Sequence, residues 1–230
     1  MAQFKLAWDI TNQHEGAAYN TTTLDDGNVY EGKVYGSKYG ITALFLIKQC
    51  KVQGVTPEFI KSLTKEDAGK YAKMFVWDKI MQGDEFKNQE VANLVFDWCF
   101  QRYGTAIGKI GEVFKMSKSE IAVMKNVLRF SKSLIRDINQ SSASVAYYDI
   151  RNARYVFSKT SGVYTGVTKN VVLARVRSFN ALPKPSCRVK GVLTDESYCE
   201  RDSLGENPQN QSYFKWLFVG LVASKALKLW

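Results

Sequence analysis

The sequence predicts a mainly α fold with one small β-hairpin near the N-terminus. Apolar residues recur at helical spacing along most of the chain, most clearly over residues 3–15, 64–80, 88–103 and 144–160. Helix-start signals accompany them, among them Thr56-Pro57 and the capping box Ser117-Lys118-Ser119-Glu120. Strand-like alternation around an Asp-Gly turn occurs in one place, residues 19–36.

The chain has 230 residues, enough to bury a substantial core, and is 45% hydrophobic with 13% aromatic. Its formal net charge is +10. Such an excess favours an anionic partner such as nucleic acid, a membrane surface or a bacterial wall. No block of five Lys or Arg occurs, so the charge is spread, which suits a broad surface better than a nucleic-acid groove. With one histidine, His14, and no Cys-x-x-Cys spacing among Cys50, Cys99, Cys187 and Cys199, no metal site is expected. Cys50 and Cys99 read as buried thiols, and Cys187 and Cys199 are close enough in sequence to pair, although nothing demands it. No organic cofactor is implied.

In order, residues 3–15 read as a helix with Phe4, Ala7, Trp8 and Thr11 on one stripe and Gly16 as its stop. Asp25 and Asp26 are placed at the turn of the hairpin. Thr42 is read as the N-cap of a helix through Val52. Pro57 opens a short helix, and a longer one continues to about Ile80, with Trp77 in the core. Residues 88–103 are apolar nearly all round and closed by Gly104, the pattern of a central buried helix. Asp97 sits inside it and must be paired, with Arg102 or Tyr103 as candidates. Two or three helices cover residues 105–140, a Tyr- and Arg-rich helix covers 144–160, and Thr168 is read as the cap of a last helix through Phe179.

The segment around which candidate chemistry gathers is residues 14–42. Glu15 stands at the end of the first helix, where the dipole and partial burial disfavour an anion, as a general acid requires. A polar loop comes next with Asp25, Asp26 and Glu31, and Gly36-Ser37-Lys38-Tyr39-Gly40-Ile41-Thr42 closes it. One rigid carboxylic acid and a second carboxylate on a nearby loop are the groups that glycoside cleavage needs. Asp26 is the first choice for the second carboxylate, with Asp25 and Glu31 as alternatives. Both aspartates equally suit simple turn formation. Tyr30, Tyr35 and Tyr39 either stack on sugar rings or pack the hairpin.

These motifs resemble glycoside hydrolase family 108, the "secretion activator"-like muramidases of phages and bacteria. The resemblance is carried by Glu15-Gly16-Ala17, Ser37-Lys38-Tyr39-Gly40-Ile41-Thr42, Leu63-Thr64-Lys65-Glu66-Asp67-Ala68 and Val76-Trp77-Asp78-Lys79-Ile80, in that order. It covers about residues 3–180 and is strongest at the front. Ala17 stands where the family has a second Gly, and Gln101-Arg102-Tyr103-Gly104 replaces its Asn-Ser-Gly. The resemblance implies a lysozyme-like helical domain in residues 1–95 and a helical, peptidoglycan-binding-like region in 96–180. It further implies a hydrolase of peptidoglycan glycan strands, with Glu15 and Asp26 catalytic and Ser37, Tyr39, Thr42 and Tyr35 contacting substrate. The alternative is a non-catalytic wall-binding or virion structural protein on the same scaffold.

Residues 181–212 hold three of the four prolines and read as a linker or arm. Residues 213–230 end the chain with an apolar run, Trp216 to Ala223, shorter than the roughly 20 residues of a spanning helix. Flanking Trp and Lys suit an interfacial helix in contact with anionic lipid, or else a terminal helix docked on the main domain. Met1-Ala2-Gln3-Phe4-Lys5 begins no signal peptide, so synthesis in a host cytoplasm is expected. Action would then be at the bacterial wall after holin-mediated release or carriage in a particle.

Overall fold

A computed structural model describes residues 1–23 and 25–182, which belong to one compact unit. The linker and the apolar terminus expected beyond them, with Cys187 and Cys199, lie outside the described residues. The fold is mainly helical with two short antiparallel hairpins. No helix among the described residues is long and apolar enough to cross a membrane.

Helix α1 (Phe4–His14) forms as its stripe predicts, with Ala7, Trp8 and Thr11 buried. Its last turn gives way to extended backbone at Glu15 (φ −92°, ψ 137°). Beyond it, the Asp-Gly segment departs from expectation. Asp26–Asn28 is a 3₁₀ turn, capped by Asp25 Oδ1 accepting from the Gly27 amide at 3.0 Å. A side-chain acceptor two residues back favours this local turn over a hairpin tip. The strand pairs lie farther on: β1 (Val29–Tyr30) with β2 (Lys33–Val34), and β3 (Ser37–Lys38) with β4 (Ile41–Thr42). Both close through two-residue turns with positive φ at each position, Glu31-Gly32 (48°, 76°) and Tyr39-Gly40 (53°, 73°). That backbone matches the twist of the flanking strands.

Thr42 caps the next segment, accepting from the Phe45 amide at 3.2 Å. The helix there is shorter than expected, however, and winds as a π-helical segment, Phe45–Gln49. Helix α2 (Pro57–Ser62) starts on the Thr56 cap, and α3 (Lys65–Ala72) starts on Thr64 and continues as a π-helical segment, Lys73–Met81, that buries Trp77. Helix α4 (Gln89–Val113) is the centre of the molecule and packs chiefly on α7 and α1. The expected stop at Gly104 is instead a break at Arg102 (φ −155°, ψ 66°), after which the helix resumes. Helices α5 (Lys118–Val127), with the full capping box at Ser117 and Glu120, and α6 (Lys132–Gln140) lead to α7 (Ala143–Thr160). The last described helix, α8 (Gly166–Ser178), begins before Thr168, so Thr168 is not its cap. Cys99 is buried as expected, while Cys50 is only half-buried.

Candidate functional site

Glu15 is held from three sides. The Tyr39 amide donates to the Gly16 carbonyl at 3.1 Å, which pins the β3–β4 turn against the end of α1. Gly40 then lies so close that a Cβ there would come within 2.9 Å of Glu15 Oε2 and 2.7 Å of Phe100 Cε1. Only a residue without a side chain fits, and its positive φ makes the same demand. From 160 residues along the chain, Arg175 Nη1 on α8 donates to Glu15 Oε1 at 2.6 Å, an ion pair where the sequence led to surroundings that disfavour an anion.

Arg175 does not act alone. Its Nη2 meets Asp97 Oδ1 at 2.6 Å, and its Nε reaches both Asp97 oxygens at 3.2 and 3.0 Å. Arg154 Nη2 on α7 donates to Asp97 Oδ2 and to Gln101 Oε1, both at 2.6 Å. The partners expected for Asp97, Arg102 and Tyr103, are therefore not the ones it has. Arg102 turns outward to the Tyr164 hydroxyl, its Nε at 2.9 Å. The side chains of Asp97, Arg154 and Arg175 are 0%, 1% and 5% exposed, against 17% for Glu15. The Asp97 carboxylate and two guanidiniums thus form a buried cluster with the Glu15 carboxyl group at its edge. Burial alone would push the Asp97 carboxyl up, but Arg175 and then Arg154 outweigh it and hold Asp97 well below the usual carboxylate range. His14, the neighbour of Glu15, is pushed down to about 4 by burial and then by Arg175, so it is neutral near pH 7.

Of the other expected residues, Ser37, Tyr39 and Thr42 belong to the β3–β4 hairpin, Asp26 to the 3₁₀ turn before it and Glu31 to the β1–β2 hairpin. A Cβ on Gly27 would stand 2.8 Å from Thr42 Cγ2, so the 3₁₀ turn bearing Asp26 packs on Thr42 at the base of β4. Gly40, at its other end, faces Glu15. Two residues of strand span about 7 Å. Asp26 is exposed. Ser37 is buried, and its backbone pairs with Asn20 in both directions at 2.9 and 2.8 Å. Buried Asn28 fastens the loop, its carbonyl accepting from Tyr35 and Gly36 at 2.8 and 3.2 Å and its side chain donating to the Thr22 carbonyl at 2.9 Å. Tyr35 packs edge-on to Tyr30, with centroids 6.3 Å apart, and its carbonyl accepts from the Tyr19 hydroxyl at 2.7 Å. Glu31 occupies the exposed tip of the other hairpin. The structure thus brings Glu15, Tyr39, Thr42 and the Asp26 turn to one hairpin. Sequence reasoning missed Arg154 and Arg175; the buried Asp97 was the signal that cations had to arrive from elsewhere.

The chain is similar in fold to SagA of Brucella abortus. The solved structure of that protein superposes with a TM-score of 0.57 at 19% identity, over 78% of this chain and 96% of that one. At this identity the likeness concerns the fold. No protein family and no curated protein matches the chain.

Proposed function

We propose that this protein cleaves the glycan strands of peptidoglycan by carboxylate acid/base chemistry on a lysozyme-like scaffold. The observation that carries the reading is the placement of Glu15: a carboxyl group at the edge of a buried ionic cluster, with one oxygen tied to Arg175 and the other facing the Tyr39–Gly40 turn. In this reading Glu15 protonates the leaving glycosidic oxygen from Oε2, while Oε1 stays on the guanidinium. Arg175 shares its charge with Asp97, so towards Glu15 it acts as an orienting donor. Asp26, on the turn beside Thr42, orients water or stabilises the oxocarbenium-like state from the other end of β4. The SagA likeness supports the scaffold, and the net charge of +10 supports an anionic wall as partner.

The test is direct. The protein is added to purified, protein-free peptidoglycan, and turbidity and new reducing ends are followed together. Clearing with reducing-end release is expected. Binding to the wall without new reducing ends would favour the non-catalytic, wall-binding alternative.

A further inference from the structure

Positive charge gathers at α5 and the two turns that flank it. Residues 115–132 contain Lys115, Lys118, Lys125, Arg129 and Lys132 against one acid, Glu120, an excess of four. All five cations are exposed. None of them has a carboxylate partner among the described residues; Arg129 donates through Nη2 to Gln82 Oε1 at 2.7 Å. Glu120 is turned into the start of its own helix, where Oε2 accepts from the Ser117 amide at 2.8 Å and from the Ser117 hydroxyl at 2.7 Å. Helix α5 rests on α4 through Ile121, Met124 and the stem of Lys125. A Cβ on Gly111 would stand 2.8 Å from Ile121 Cγ1, and one on Gly108 would stand 2.6 Å from Lys125 Cε. The face turned away from α4 carries Ala122, Val123, Asn126 and Val127, all exposed, with Val123 at 61% and Val127 at 53%. Four residues apart, the two valines are neighbours on the helix surface.

We propose that this face of α5 docks on an anionic lipid surface, with Val123 and Val127 entering the boundary between headgroups and acyl chains while the cations around them meet lipid phosphates. A helix lying in that boundary needs an apolar strip beside Lys and Arg, and α5 has both. Exposed valine gains from burial against hydrocarbon and gains nothing from a polymer of phosphates and hydroxyls. Bases of single-stranded nucleic acid stack on exposed aromatic rings, whereas Phe130, the one aromatic residue of the segment, is 2% exposed. The inference is independent of the glycan-cleaving reading, since α5 contributes no residue to the surroundings of Glu15.

The experiment is sedimentation of the full chain with vesicles of equal parts phosphatidylglycerol and phosphatidylcholine, and with vesicles of phosphatidylcholine alone. Residues 213–230 stay in place throughout, so any affinity of theirs is common to every variant. Lys118→Glu and Lys132→Glu change the first residues of α5 and α6, where an acid suits the helix dipole, so the fold is kept. Together they should weaken binding to the mixed vesicles by at least about thirtyfold. Val123→Gln with Val127→Gln, a change that favours the helix, should weaken it about tenfold. Both double variants should melt within about 2 °C of wild type, and their action on peptidoglycan without vesicles should equal that of wild type. Wild-type binding to the mixed vesicles should fall with salt and be absent on phosphatidylcholine alone. No wild-type binding to the mixed vesicles, equal binding to both kinds of vesicle, or undiminished binding by both double variants would overturn the proposal. Loss in the lysine variant with full binding by the valine variant would show a face for soluble polyanions and would overturn the lipid assignment. A melting temperature lowered by many degrees in the valine variant would show the valines to be packed, with the same consequence.

Discussion

Removing the charge of Asp97 should cost more stability than any other single change in the cluster. Asp97→Asn preserves shape but leaves two guanidiniums, 1% and 5% exposed, with only the Glu15 carboxyl group at the edge of the cluster, and presents an amide donor at one of the two oxygen positions, where two of the four N–H···O contacts had an acceptor. Arg154 Nη1 already has no hydrogen-bond partner among the described residues, so the cluster has no spare acceptor to offer there. Breaking a buried pair from one side costs about 3–5 kcal/mol. At roughly 2–4 °C per kcal/mol for a chain of this size, the melting temperature should fall by about 6–20 °C. Arg154→Met should cost less, because Arg175 still covers both Asp97 oxygens. The pH dependence carries a definite sign. Asp97 is depressed in the folded state below an unfolded value near 3.9, so its contribution is complete above about pH 4 and is lost as pH falls through the folded value. The gap between wild type and Asp97→Asn should therefore be full at pH 7 and narrow below about pH 4. Thermal unfolding by circular dichroism at pH 7 and between pH 2 and 5 measures both effects. An Asp97→Asn protein melting within about 2 °C of wild type at pH 7 would refute the reasoning.

Two further outcomes concern the hairpin. Among Asp25→Asn, Asp26→Asn and Glu31→Gln, Asp26→Asn should lower reducing-end release from peptidoglycan most, since its turn packs on Thr42 whereas Asp25 caps that turn and Glu31 is at the far tip; equal activity in all three would remove the hairpin carboxylate from the mechanism. Gly40→Ala should cost about 1–2 kcal/mol from its left-handed backbone alone and should also displace Glu15, so melting temperature and turnover fall together.

Local signals in the sequence located most helices. The Ala7, Trp8, Thr11 stripe and Gly16 set α1 and its end, Thr56-Pro57 set the start of α2, and Ser117 with Glu120 set α5, because caps and stripes act within a few residues. One hairpin is expected over residues 19–36; a strand pair lies there, but its turn is Glu31-Gly32 because Asp25 satisfies the Gly27 amide locally, and the second pair around Tyr39-Gly40 goes unforeseen because Tyr39, like Glu31, occupies a turn position that propensity disfavours. The π-helical winding of Lys73–Met81 and the break at Arg102 have no marker of the Gly or Pro kind, since tertiary packing imposes them. The candidate acid was legible from its helix-end position. Its support was not, because Arg154 and Arg175 lie 57 and 78 residues from Asp97, and Arg175 lies 160 from Glu15. An arginine's partner at that separation is fixed by how the helices pack, and no local pattern records it.

The central claim is that Glu15 donates the proton that breaks a glycosidic bond. Its most direct test is the rate at which Glu15→Gln protein, shown by its melting curve to be folded at the assay temperature, releases reducing ends from purified peptidoglycan. Glutamine keeps the size of the side chain and a hydrogen bond to Arg175 but has no acidic proton to give. The account predicts a fall of about 10²–10⁴ relative to wild type. A rate within a fewfold of wild type would contradict it.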